Sequence, residues 1–590
     1  MKQLTTRWGR DIDPMNIKPE YPRPGLVRDS YINLNGTWAL SINRAEECAD
    51  YERTIRVPFP PEAPLSGVGV IVTPEDYLHY RRTFSLPEGF NRGRVLLHFG
   101  AVDQECEVWV NGRAVGGHRG GYIPFTLDIT EAIVPGENEL RMRVRDYTER
   151  APYARGKQKL VKKGRLASIF YTPCSGIWKT VWLESVPEAH VTGLRCTPRF
   201  DEAQIELEIR TSAPGLARVD ITFGGQAVWS GEIEANQPAR VDLPGFKPWS
   251  PDAPNLYDLS IAFGEDRVRG YFGMRRFDIG PDARGVLRCR LNGKPFFFNG
   301  VLDQAYWPDG LLTAPSDAAM EHDIRTLKAL GFNTLRMHVK VEEERFYHLC
   351  DKIGMAVWQD MPNGGGEYDM LFVAYLPNAF DWFARGVNDH RYRRLARRDA
   401  DGRAQFIEEL EDMVRLLYNY PCIALWTPFN EGWGQFDARE ATRRIRAIDP
   451  TRLVNEACGW FDQGGGDLHS IHNYLHKLRV SPKPPRVVAL TEYGGYAWPV
   501  AGHTACEKEF GYQAYKSREE LTRNYERLWS EEILPNLARG LSTAIYTQLS
   551  DIEEEINGVL TYDREVVKPD AEVVKRLNQQ LYERFRALTE

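Results

Sequence analysis

Two glutamates stand where a short apolar run gives way to a polar, glycine-bearing turn. Ile423-Ala424-Leu425-Trp426 leads into Thr427-Pro428-Phe429-Asn430-Glu431-Gly432-Trp433, and Val487-Val488-Ala489-Leu490 leads into Thr491-Glu492-Tyr493-Gly494-Gly495. If the apolar runs are strands of one sheet, both carboxyls sit at strand ends and can face each other across a pocket. Such a pair suits cleavage of a glycosidic bond: one carboxyl protonates the leaving oxygen, and the other meets the oxocarbenium-like carbon from the opposite side. The neighbours fit a sugar ring, since Trp426, Trp433 and Tyr493 can offer faces to its C–H groups and Asn430 can hydrogen-bond a hydroxyl. An Asn-Glu dipeptide alone is more often a loop or a helix cap, so the weight falls on two acidic strand ends occurring together.

The elements that must position these residues follow from the hydrophobic period. From about Leu34 to Glu184 short alternating runs are separated by turn residues, with Asn111-Gly112 a strong hairpin signal after Glu105–Val110. A second β region, from about Val191 to Ile279, has the strand spacing of an immunoglobulin-like module. After Gly285 the period becomes helical and strand-like in turn. Ser316 caps a helix facing Met320, Ile324, Leu327 and Leu330, Gly331 ends it, and Asn333–Met337 reads as the next strand. About 300 residues of this alternation, with no glycine-rich phosphate loop after a strand, fit a (β/α)8 barrel better than a doubly wound sheet. The expected architecture is therefore a jelly-roll-like N-terminal β-sandwich over residues 1–187, an immunoglobulin-like β-sandwich over 188–280, and a C-terminal TIM barrel over 281–590.

Composition narrows the partners. The 590 residues are 42% hydrophobic and 27% charged with a formal charge of −7, which excludes wholesale disorder and gives no global attraction to nucleic acid or anionic lipid. No apolar run is long enough for a membrane span, and no signal-like segment is present, so a cytoplasmic protein is expected. The nine cysteines include no Cys-x-x-Cys pair and read as reduced thiols.

The two glutamate motifs resemble the acid/base and nucleophile motifs of glycoside hydrolase family 2, the family of β-galactosidases, β-glucuronidases and β-mannosidases. The resemblance covers nearly the whole chain. Leu34–Trp38, Phe99–Asp103, Val108–Gly112, His118–Tyr122 and Ser175–Trp178 look like the family's sugar-binding-type sandwich, and Gly331–His338 looks like its second barrel strand. It implies that Glu431 is the general acid/base and Glu492 the nucleophile of a retaining double displacement, with carboxyls about 5–5.5 Å apart and a raised pKa on the acid. It further implies that Asn430 bonds the 2-hydroxyl, that Tyr474 orients the nucleophile and that His338 lines the pocket.

Several positions depart from the better-known members. Tyr546-Thr547-Gln548 stands where a tryptophan is common, and the acidic run Asp551, Glu553, Glu554, Glu555 reads as a solvated loop, with Asp551 near enough to reach the pocket rim. Ala167 to Cys174 holds none of the acidic residues that galactosidases and glucuronidases often place there, and no Asn-x-Lys signature of glucuronate recognition is evident near Asn557. Asp303 and Trp307, after the first barrel strand, are candidates for the terminal sugar, and Asp360 is expected to support the pocket rather than touch substrate. The basic stretch Lys157, Lys159, Lys162, Lys163 and Arg165 reads as a surface loop that could accept an anionic group.

The reading that results is an exo-acting β-glycosidase with no cofactor or metal, a glycoside substrate, and a possible homo-oligomer. β-Galactosidase comes first on family frequency; a β-glucuronidase or a glycosidase for a rarer β-linked or furanosidic sugar is the alternative. A non-catalytic carbohydrate-binding protein is the rival of another class. Metal catalysis through His469, His472 and His476 is weaker still, because these residues lack the fuller spacing such sites require.

Overall fold

The computed structural model describes residues 4–48, 50–160 and 168–590. The first β region forms a four-stranded sheet facing a six-stranded one, around a core that includes Trp38, Tyr80, Leu97, Val108 and Leu183. Its Asn111-Gly112 turn has φ of 51° and 78°, which joins Glu105–Val110 to Arg113–Arg119 as an antiparallel hairpin. The second region packs a three-stranded sheet against a four-stranded one over Ile205, Leu207, Val219, Leu259 and Val268.

The rest is the barrel. Its strands are β1 (Phe298–Asp303), β2 (Thr334–Met337), β3 (Ala356–Asp360), β4 (Ile423–Thr427), β5 (Leu453–Val454), β6 (Leu468–Asn473), β7 (Val487–Gly494) and β8 (Leu541–Thr547). All pairings are parallel, in the order β5-β4-β3-β2-β1-β8-β7-β6. The seam between β5 and β6 is held by the Asp467 N–H, which donates to the Val454 carbonyl at 2.8 Å. Parallel strands covered on both faces are apolar throughout, and every residue of β1, β2, β3, β4, β7 and β8 is buried.

Local signals explain the helices between strands. Ser316 caps Asp317–Ala329 by accepting from the Ala319 N–H, and Gly354 ends Glu344–Ile353 at φ 82°. β6 departs from the sequence expectation: the segment around His472, expected to be a loop, is a strand through Asn473. Its short, mostly polar sequence carries little strand signal, and pairing with β7 imposes the conformation.

The acidic run after β8 also differs from expectation. Rather than facing solvent, Glu553 accepts from the Thr172 N–H, Glu554 from the Ser168 hydroxyl and Glu555 from the Tyr171 hydroxyl. The run thus docks a segment of the first sandwich onto the barrel mouth, because buried donors there require acceptors. Lys162, Lys163 and Arg165 lie outside the described residues. Among the described residues no helix is long and apolar enough to cross a membrane.

Candidate active site

Glu492 lies on β7 directly across from His472 of β6, just past an irregularity in their register. Side chains one position apart on a strand point to opposite faces, so this pairing turns both groups into the barrel. Glu431 follows β4 in a left-handed backbone conformation, φ 51°, rare for a residue with a Cβ. Its N–H donates to the Cys458 carbonyl at 2.8 Å, and the Trp433 N–H closes a turn onto the Asn430 carbonyl at 3.1 Å. A carboxylate oxygen of Glu431, one of Glu492 and a ring nitrogen of His472 all lie within 4.8 Å of one another.

Each glutamate has its own set of donors. Tyr474 donates to Glu492 Oε2 at 2.5 Å, and Arg336 Nη1 to Oε1 at 3.0 Å. Glu431 Oε1 is 2.7 Å from His472 Nδ1, and its Oε2 accepts from the Trp433 indole at 3.2 Å. His472 Nδ1 is also 3.4 Å from Glu492 Oε2.

Arg336, on β2, joins the pieces from below. Fully buried, it donates to both oxygens of Asp360, to Glu492 and to Asn430 Oδ1. Burial alone would lower its pKa, but the charges of Asp360 and Glu492 raise it. Burial likewise pushes Asp360 up, and Arg336 and His338 bring it below the ordinary range. His338, 3.0 Å from Asp360, is driven down to about 4 by burial and is neutral, leaving one nitrogen for a hydroxyl. Asn430 Nδ2 is buried and has no partner in the protein, so it presents a donor to the pocket.

The sequence-based expectation of a raised pKa on Glu431 is not met in the ligand-free chain. Burial pushes this carboxyl up, but the hydrogen bond and charge of His472 hold it below its ordinary range. His472 moves the opposite way: burial opposes its charge, yet Glu492, Cys458 and Glu431 lift it to about 10.

The other candidates are spread more widely. Trp433 holds Glu431 and packs edge-on to Phe170 and Tyr368. Trp426, expected at the sugar, instead points to the helix layer, where its indole donates to Asp449 at 2.9 Å. Tyr493 and Tyr546 stand edge to face in the core, and it is the next residue, Thr547, that reaches Tyr474, at 2.9 Å. Asp303 accepts from the Ala305 N–H at 2.7 Å, and burial lifts it to about 7. Trp307 lies under the Arg564 guanidinium and edge-on to Trp8, and none of its ring contacts is with the glutamate cluster. Asp551 is paired with Lys568 at 2.7 Å. The three histidines weighed as metal ligands do not converge: His469 pairs with Asp462, His476 is exposed, and only His472 enters the site.

Sequence reasoning missed Arg336 and the part played by His472. A charged residue inside the apolar run Thr334-Leu335-Arg336-Met337 was the available signal for the first. Nothing local marked the second.

Comparison with known proteins agrees with this geometry. Residues 287–504 match the model of the glycosyl hydrolases family 2 TIM barrel domain, residues 62–187 that of the family's sugar binding domain, and residues 189–275 a third family 2 model. A β-galactosidase of Thermoanaerobacter pseudethanolicus is 23% identical over 460 residues, 73% of this chain and 56% of that protein. The chain spans about half the length of the curated relatives it matches, which carry both β-galactosidase and β-glucuronidase names. Among solved structures, a β-glucuronidase from an uncultured Clostridium sp. superposes with a TM-score of 0.73 at 18% identity, over 94% of this chain and 99% of that one. A β-galacturonidase of Eisenbergiella tayi superposes with a TM-score of 0.69 at 19% identity, over 96% and 99%. Three consecutive domain matches, covering most of the chain, place it in glycoside hydrolase family 2.

Proposed function

We propose that the chain is a retaining exo-β-glycosidase in which Glu492 is the nucleophile and Glu431 the acid/base. The observation that carries this reading is the approach of the two carboxylates to within 4.8 Å, the spacing of a double displacement rather than one with room for a water between them. Glu492 attacks the anomeric carbon as Glu431 protonates the departing oxygen, which leaves a glycosyl ester on Glu492. Glu431 then takes a proton from water, whose oxygen displaces Glu492 from the same face. The Ser168–Thr172 segment seated on Glu553–Glu555 narrows the barrel mouth and favours a single terminal sugar over an open cleft. NMR of the first-formed anomer tests the mechanism: a β product is expected, and an α product would refute it.

For the sugar, a β-galactoside is the first reading, on the frequency of that activity in the family and the names of several relatives. A second reading, a β-uronide, draws on Lys157. This ammonium is buried, its charge acts on Glu431, His338 and Glu555, and among the described residues it has no ion-pair partner. A carboxylate on the sugar would supply one. Turnover of a panel of aryl β-galactoside, β-glucuronide and β-galacturonide separates the two, and loss of uronide turnover alone in Lys157→Met would support the second.

A further inference from the structure

We propose that His472 is the proton store of the catalytic pair: its Nδ1–H supplies the proton that Glu431 delivers to the leaving oxygen and recovers it in the second half-reaction. This rests on Glu431 being the acid/base.

The geometry leaves His472 little choice. Its Nδ1 is 2.7 Å from Glu431 Oε1 and 3.4 Å from Glu492 Oε2, and an atom between two carboxylates must carry hydrogen. Its Nε2 faces the Cys458 thiol at 3.2 Å, and Cys458 in turn is met by the Ser470 hydroxyl at 3.5 Å. The ring stands edge-on to Trp460 and rests against Gly459, where an added Cβ would come within 2.8 Å of Nδ1. The ring therefore cannot swing away from the glutamates. The charged and titratable groups around it are Glu431 after β4, Cys458 after β5, Tyr474 after β6 and Glu492 on β7. Arg336 on β2 stands behind Glu492, and Lys157 of the sandwich acts on Glu431.

The protons balance through the cycle. In the resting enzyme both carboxyls are ionised and the imidazole is cationic. Transfer of the Nδ1 proton to Glu431 and on to the leaving oxygen, as the C1–O bond breaks and the C1–Glu492 bond forms, leaves neutral His472, ionised Glu431 and an ester. Ester formation removes the Glu492 charge, the foremost of the groups holding the imidazole protonated. When water attacks C1, its proton passes to Glu431 and back to His472, and the freed Glu492 carboxylate restores the charge that holds it there. The nucleophile's own state thus loads and unloads the acid.

Two measurements test this. In His472→Asn and His472→Gln, the basic limb of the pH profile of kcat/KM should move at least one pH unit lower for an aryl glycoside with a poor leaving group. Turnover of that substrate at pH 8 should fall about 10- to 100-fold, within the range general acid catalysis supplies, while the 2,4-dinitrophenyl glycoside changes less than about threefold. An unmoved basic limb with an equal loss on both substrates would leave His472 a packing residue and overturn the proposal. On the unmutated protein, ¹⁵N NMR of labelled histidine at pH 7 should show His472 cationic when free and neutral once Glu492 is trapped by a 2-deoxy-2-fluoro glycoside; a neutral ring in the free enzyme would also overturn it. Glu431→Ala separates the two assignments, because undiminished turnover of the poor-leaving-group substrate there would remove Glu431 itself as the acid.

Discussion

The Tyr474 hydroxyl donates to Oε2 of Glu492 at 2.5 Å, and the Thr547 hydroxyl meets the same tyrosine oxygen at 2.9 Å. The tyrosine's single proton is committed to the glutamate, so Thr547 must donate to it. Two strands, β7 and β8, and the end of β6 thereby fix one carboxylate.

Replacing Tyr474 by Phe removes this donor without emptying the space. A hydrogen bond to a charged group contributes about 1.5–3 kcal/mol, so kcat should fall about 10- to 150-fold with the fold intact. Steady-state kinetics together with near-ultraviolet circular dichroism check both halves of the expectation.

Arg336 serves structure and site together. In Arg336→Met, Asp360 keeps its burial and loses its cation, and breaking a buried pair this way destabilises by about 3–5 kcal/mol. Denaturant unfolding should show the loss, with activity falling in parallel because Glu492 and Asn430 lose the same guanidinium.

Asn430 offers its unpartnered Nδ2 to substrate. Asn430→Ala should lower kcat/KM on a 2-hydroxy sugar by about tenfold or more and barely alter it on the 2-deoxy analogue, because the contact strengthens toward the transition state. Equal losses on both substrates would place the contact elsewhere on the ring.

Glu62 links stability to pH. Burial lifts its carboxyl from 4.5 to about 8, against the opposing Ser175 donors. The folded chain keeps a proton that the unfolded chain loses above about pH 4.5, so stability from this group is full below that pH and declines as pH rises toward 8. The melting temperature should therefore drop between pH 6 and 8.5, and Glu62→Gln should flatten the drop.

Much of this was legible from residues in order. The switch of hydrophobic period marked the barrel, Asn111-Gly112 the hairpin, Ser316 and Gly354 the helix ends, and the two glutamate motifs the place to look. What was hidden depends on pairing across distant segments. Trp426 and Thr427 are neighbours in sequence on opposite faces of β4, and only the sheet decides which face is inside. His472 has no motif of its own; its meaning comes from standing across from Glu492. The acidic run after β8 has the composition of a solvated loop, and its docking depends on donors some 380 positions earlier in the chain.

That docking binds the fate of two domains. A barrel produced without the sandwich would leave Glu553, Glu554 and Glu555 facing water where they now hold Ser168–Thr172, and would open one wall of the pocket. Grafting the catalytic residues of this chain into another barrel would for the same reason fail to carry its substrate preference, which resides in a wall that the barrel does not own.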